Sequence, residues 1–167
     1  GAGAPQRADA LYEAGRLNEA ENQLSNLRTV IIGRNRLENG SSEAFARAFA
    51  MHSQLREVRM PQNGIRPEGV VTLFGGLAKC MSLRYLDLQD NTFTTKGSLA
   101  LATALPAWTE LERLNVGDCM LNEEGALEVA KALDVCRPSL LHLNLSYAEM
   151  NDKGALVLAG ALRRMPG

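Results

Sequence analysis

The chain has 167 residues, 46% of them hydrophobic and 22% charged, with a formal net charge of −1, the composition of one ordinary globular domain. Near-neutral charge removes the long-range pull on nucleic acid that a strongly basic protein exerts. No apolar run approaches the ~20 residues that span a bilayer, so neither nucleic-acid binding nor membrane insertion is expected.

Taken in order, residues 1–26 stand apart from the rest of the chain. The run ADALYEAGRLNEAENQL from Ala8 carries Leu11, Gly15, Leu17, Ala20 and Leu24 and is predicted to be helical. It reads as the outer helix of a truncated preceding repeat. Gly-x-Leu-x-Glu-Ala at Gly15 to Ala20 also fits the middle of a tetratricopeptide unit, but one such unit cannot bury its own faces.

From Leu27 a comb of apolar residues recurs. It begins with Leu27, Val30, Ile32, Asn35 and Leu37, and continues with Leu55, Val58, Met60, Asn63 and Ile65. Leu83, Leu86, Leu88, Asn91 and Phe93 give its fullest form, followed by Leu111, Leu114, Val116, Cys119 and Leu121, then Leu140, Leu143, Leu145, Ala148 and Met150. The first slot advances by 28, 28, 28 and 29 residues, a period and pattern that define leucine-rich repeats. Units are predicted at 27–54, 55–82, 83–110, 111–139 and 140–167.

Within each unit, slots two apart place both side chains on one face of a short strand. The chain then turns, and an amide side chain has the donors and acceptor to satisfy backbone groups stranded between stacked turns. Asn35, Asn63, Asn91 and Cys119 are the predicted ladder, and Ala148 predicts that it loosens in the last unit. A helix comes next, marked by Gly69, Gly97, Gly125 and Gly154. Its apolar columns are Phe45, Leu73, Leu101, Val129 and Leu158, and Phe49, Leu77, Leu105, Leu133 and Leu162, the two columns four residues apart. Starts are signalled by Pro67, Asn122 and Asn151, by Ser41 and Ser42 as caps, and ends by Pro106 and Pro138. The expected fold is an α/β solenoid of ribonuclease-inhibitor type, with a parallel sheet on its concave side and helices on its convex side. Neither end shows a polar cap, so the uncapped ends are expected to expose apolar surface and self-associate.

Repeat position says which side chains face a partner. The mid-strand row is Ile31, Arg59, Asp87, Asn115 and Asn144; the turn-mouth row is Arg34, Gln62, Asp90, Asp118 and Tyr147. From these, Arg34, Arg59, Gln62, Asp87, Asp90, Asn115, Asp118 and Tyr147 are the expected partner-binding residues. Their mixed signs suit a protein with basic and acidic patches. No catalytic residues are assigned. The only histidines, His52 and His142, occupy different slots of distant units, and no Cys-x-x-Cys or His-x-x-x-His spacing exists, so neither a metal nor a cofactor is expected. Three cysteines cannot all pair and no basic-then-apolar leader is present, which predicts reduced thiols in an intracellular protein. Trp108 and Phe74 read as packing, and Gly75-Gly76 as part of a helix.

The blocks IIGRNRLENG (Ile31 to Gly40), QNGIRPEG (Gln62 to Gly69) and LDLQDNTFT (Leu86 to Thr94) resemble the middle-to-late repeats of the Ran GTPase-activating protein family. The likeness runs from about Leu27 to Leu133 and weakens at LNLSYAEM, where Ala148 replaces the expected Asn. It implies a regulator of a partner's hydrolysis rather than an enzyme, gripping the switch regions of GTP-bound Ran and working in nucleocytoplasmic transport. It further implies a cytoplasmic location, including the cytoplasmic face of the nuclear envelope. In that family the GTPase supplies its own glutamine and the activator positions it, without an arginine finger. The family's activating Arg and Asn precede the GRNRLENG block, so this chain is expected to lack them. The alternative from another class is a plain interaction scaffold of inhibitor, immune-receptor or actin-capping type. It shares the period and the helix segment LATAL (Leu101 to Leu105) but not the turn sequences.

Overall fold

A computed structural model describes residues 27–136 and 138–165; the helix expected before Leu27 lies outside the described residues. Strand and helix alternate throughout: β1 (Thr29–Ile31), α1 (Ser42–Met51), β2 (Glu57–Arg59), α2 (Pro67–Leu77), β3 (Tyr85–Asp87), α3 (Thr94–Ala104), β4 (Arg113–Asn115), α4 (Asn122–Cys136), β5 (His142–Asn144) and α5 (Asp152–Arg164). The strands lie in parallel in chain order. Val30, Val58, Leu86, Leu114 and Leu143 are paired in register. Parallel neighbours need a long crossover, and each helix supplies one. The sheet therefore lines one side of an α/β solenoid and the helices the other, as the repeat pattern predicts.

Each strand is three residues long because the pattern asks for no more. In β3, Leu86 points into the core, with Tyr85 and Asp87 facing out, and Leu88 turns in again just beyond the strand. Val58, Leu86 and Leu114 are completely buried; a leucine so buried contributes ~1.5–3 kcal/mol relative to an exposed one. Between sheet and helices, Phe74 meets Phe93 edge-on at 5.6 Å and Trp108 at 6.0 Å. Trp108 is fully enclosed, and its indole Nε1 donates to the Leu77 carbonyl at 2.9 Å, so its one polar atom is satisfied.

Helix ends obey local chemistry. Pro67 opens α2 at its first turn. The Asn151 side chain accepts the Gly154 N–H at 3.0 Å at the start of α5. Pro106 stops α3, and the chain makes one 3-10 turn over Leu105–Ala107. The serine caps expected for α1 are corrected: Ser41 makes no capping bond. Residues 38–41 already turn, which aims both hydroxyls backward, from Ser41 to the Leu37 carbonyl at 3.1 Å and from Ser42 to the Glu38 carbonyl at 3.4 Å. Gly76 marks the closest helix contact, since a Cβ there would fall 2.2 Å from the Ala46 carbonyl oxygen of α1. No helix among the described residues is long and apolar enough to cross a membrane.

Candidate partner-binding surface

The parallel register turns a sequence period into rows of side chains. Ile31, Arg59, Asp87, Asn115 and Asn144 are successive register partners across the sheet. Beyond the strands, the backbone ladder continues into the turns. The N–H groups of Arg34, Gln62, Asp90 and Asp118 donate to Pro61, Gln89, Gly117 and Ser146 carbonyls at 2.8–3.1 Å. Arg34, Gln62, Asp90, Asp118 and Tyr147 all adopt left-handed backbone with φ between 54° and 58°, at a cost of about 1–2 kcal/mol each for non-glycine residues. The next turn of backbone is what the asparagines hold.

The ladder residues work backward along the chain. Asn63 accepts the Asn35 N–H at 2.8 Å and donates to the Ile32 carbonyl at 2.6 Å. Asn91 accepts the N–H groups of Asn63 and Ile65 at 3.2 and 3.1 Å and donates to Met60 and Leu88 carbonyls at 3.0 and 2.8 Å. Among the described residues, the Asn35 side chain bonds within its own turn, to the Gly33 carbonyl at 2.8 Å. Cys119 supplies a weaker version, its Sγ donating to the Leu88 carbonyl at 3.2 Å. Burial pushes its thiol up to about 12 and that of Cys80 up to about 11, so both stay protonated. Ala148 is buried in the same slot with no polar group.

The rows are also wired laterally. Arg34 Nε donates to Gln62 Oε1, and Gln62 Nε2 donates to Asp90 Oδ2 at 2.6 Å. Asn144 Nδ2 donates to Asn115 Oδ1 and Asn115 Nδ2 to Gln89 Oε1, both at 2.9 Å. The Asp87 carboxylate accepts the Gln89 N–H at 3.1 Å. Arg59 is ion-paired with Glu57 and its guanidinium lies 4.2 Å from the Tyr85 ring centroid. Asp118 and Tyr147 are exposed at the far end of the turn-mouth row. The structure thus brings Arg34, Gln62 and Asp90 into one chain of bonds, and joins Asn115 to Gln89. Gln89 is absent from the residues that the repeat pattern singles out, although it lies two residues past Asp87, on the same face. Fixed rotamers of this kind lower the entropy lost on docking. Among the described residues, no group of His, Cys, Asp and Glu side chains could hold a metal ion.

Repeat, register and ladder together define the class: the chain is a leucine-rich repeat protein. The family model described as Leucine Rich repeat matches residues 79–102 and 138–159. The tropomodulin C-terminal domain of Caenorhabditis elegans shares the fold, with a TM-score of 0.71 over 88% of this chain and 91% of that one at 16% identity. Within the class, the sequence is related to the Ran GTPase-activating proteins. It is 50% identical over 128 residues to Ran GTPase-activating protein 1 of Saccharomyces cerevisiae, covering 74% of this chain. It is 45% identical over 58 residues, 35% of this chain, to Ran GTPase-activating protein 1 of Xenopus laevis. The chain spans 31% of the length of the yeast relative and 10% of the frog one.

Proposed function

We propose that this chain is part of an activator of the small GTPase Ran, docking on the GTP-bound form through the exposed sheet face and turn mouth. The observation that carries the reading is 50% identity over 128 residues to a Ran GTPase-activating protein. Arg34, Arg59, Gln62, Asp87, Asp90, Asn115, Asp118 and Tyr147 form the contact. The hydrogen-bonded line Arg34–Gln62–Asp90 supports a surface set before binding. The chain acts by positioning, and the family's activating Arg and Asn lie outside it, so it regulates hydrolysis without being an enzyme and contributes docking rather than full activation. Its setting is the cytoplasm, including the cytoplasmic face of the nuclear envelope. Exposed Leu141, Leu156 and Leu162 in the last unit support self-association through that end.

The test is single-turnover GTP hydrolysis by Ran with and without the chain, beside a binding assay on GTP-loaded Ran. Binding without acceleration is the expected outcome. Strong acceleration overturns the claim that the activating groups lie elsewhere. Absence of both leaves a scaffold of the interaction class. A concentration-independent monomer in light scattering removes the self-association.

A further inference from the structure

The opposite rim of the sheet carries a second periodic column that Ran docking does not use. The residue after the first leucine of each unit is Arg28, Arg56, Arg84, Glu112 and Leu141. These positions are locked in a stack. The Arg28 carbonyl accepts the N–H groups of Arg56 and Glu57, the Arg56 carbonyl those of Arg84 and Tyr85, and the Arg84 carbonyl those of Glu112 and Arg113, at 2.8–3.0 Å. The side chains keep that spacing, about 4.8 Å from one strand to the next.

Around this column lies a shallow groove of about 500 Å³ lined by five arginines, Arg28, Arg56, Arg59, Arg84 and Arg113, with Thr29, Tyr85 and only two carboxylates, Glu57 and Glu112. With Glu110, which also pairs with Arg84, five cations face three anions and leave a local excess of two positive charges, in a chain whose net charge is −1. Two of these arginines stand outside the ion pairs. Glu57 pairs with Arg59, and Arg84 shares Glu110 and Glu112 at 3.0 and 3.4 Å. Arg56 and Arg113 are exposed, and among the described residues neither has an ion pair. Tyr85 sits centrally, with Arg59 at 4.2 Å and Arg113 at 5.8 Å from its ring centroid. The buried Nε of Arg59 and Oε1 of Glu57 each lack a hydrogen-bond partner, although the two residues are ion-paired. Like-charged guanidiniums held around one ring, with Arg56 and Arg113 outside any ion pair among the described residues, form a surface complementary to negative charge.

We propose that this rim docks an acidic polypeptide segment lying across β1 to β4, with carboxylates over Arg56 and Arg113. The interleaved glutamates favour a peptide over a nucleic acid. A peptide can set neutral residues against Glu57 and Glu112, whereas a uniformly spaced phosphate chain brings charge against them. The site is on the rim opposite the turn mouth and meets the proposed Ran surface only at Arg59.

The experiment is fluorescence anisotropy of the 167-residue chain with a labelled peptide alternating glutamate and glycine, long enough to cross three strands. A mixed-sequence single-stranded oligonucleotide of equal length is the rival probe. Saturable peptide binding at low ionic strength is expected, weakening as salt shortens the screening length from about 30 Å towards about 10 Å. The double variant Arg56→Glu/Arg113→Glu should weaken it by about tenfold or more. Lys96→Glu/Lys131→Glu, with the same change in net charge on the helix side, should not. Arg56→Gln/Arg113→Gln carries the same comparison if the reversed variant loses its circular dichroism signal. No saturable binding, equal loss in the lysine variant, or tighter binding of the oligonucleotide overturns the proposal.

Discussion

The units built on β3 and β5 use one template and reach different ends. In the β3 unit, Leu83, Leu86 and Phe93 are completely buried and the Asn91 side chain makes five bonds to the turn before it and to its own. In the β5 unit, the matching Leu140, Leu143 and Met150 are only partly covered, Leu156 is 75% exposed, and Ala148 offers no polar atom. Leucines alone therefore do not equalise the units. Each one is as secure as the neighbours that cover it and the amide that reaches back from the next. Because the ladder points backward, the loss at position 148 falls on the preceding turn, around Cys119.

The largest effect is expected where that comparison is broken outright. Asn91→Ala strands two N–H groups and two carbonyls in the buried turn, at about 1–3 kcal/mol for each group water cannot reach. A net loss of about 4 kcal/mol should appear as a lower urea midpoint. Asn35→Ala, whose side chain serves only the Gly33 carbonyl among the described residues, should shift it by less than about 1 kcal/mol. A loss at Asn91 no larger than at Asn35 would mean that the ladder does not hold the turns.

The helix columns give the next contrast. Leu101 on α3 is fully buried, whereas Leu158, its counterpart on α5, is half-covered. Leu101→Ala should cost about 3 kcal/mol through lost burial and a residual cavity, and Leu158→Ala about 1 kcal/mol. Equal costs, read from chemical denaturation, would mean that something covers α5 in solution.

The thiols test burial without changing the sequence. With Cys119 raised to about 12 and Cys80 to about 11 from an ordinary 9, the thiolate fraction at pH 8 falls by about a hundredfold or more. Half-buried Cys136 should react first with a thiol reagent in the native state, and all three in denaturant. Folding keeps the protons of Cys80 and Cys119, while the unfolded chain releases them above pH 9. Their contribution to stability is therefore intact below pH 9 and lost as pH rises through 11 to 12. Denaturation midpoints that rise above pH 9 would contradict it.

Much of this is legible in the sequence because a strict period fixes strand register, and register fixes rows. Asn63 and Asn91 can be assigned their task from the chemistry of an amide at a turn. What the pattern cannot give is how exposed side chains choose partners within a row. Arg34 and Arg59 both read as facing a partner, but Arg34 bonds to Gln62, and Arg59 pairs with Glu57 and covers Tyr85. Left-handed backbone at Arg34, Gln62 and Asp90 is equally hidden, since these residue types do not signal it as glycine does. The arginine column at 28, 56 and 84 does have a signal, its spacing, but it lies outside the comb that defines the repeat.

Repairing the weak unit is the smallest effect and the sharpest test of the comparison. In the two turns where the ladder is complete, the amide of the next unit accepts the N–H of the slot before it, Asn63 from Asn35 and Asn91 from Asn63. Ala148→Asn places the same acceptor beside the Cys119 N–H and a donor near the Val116 carbonyl. The slot holds an asparagine at 63 and 91 without disturbing the strand register, so the change should fit. The gain is limited because β5 is less buried than β3, and a new bond there competes with water. About 1 kcal/mol is expected, seen as a modest rise in midpoint and about fivefold slower hydrogen exchange at the Cys119 amide. Unchanged exchange at that amide would mean that the exposed leucines of the last unit, and not its missing amide, set the weakness.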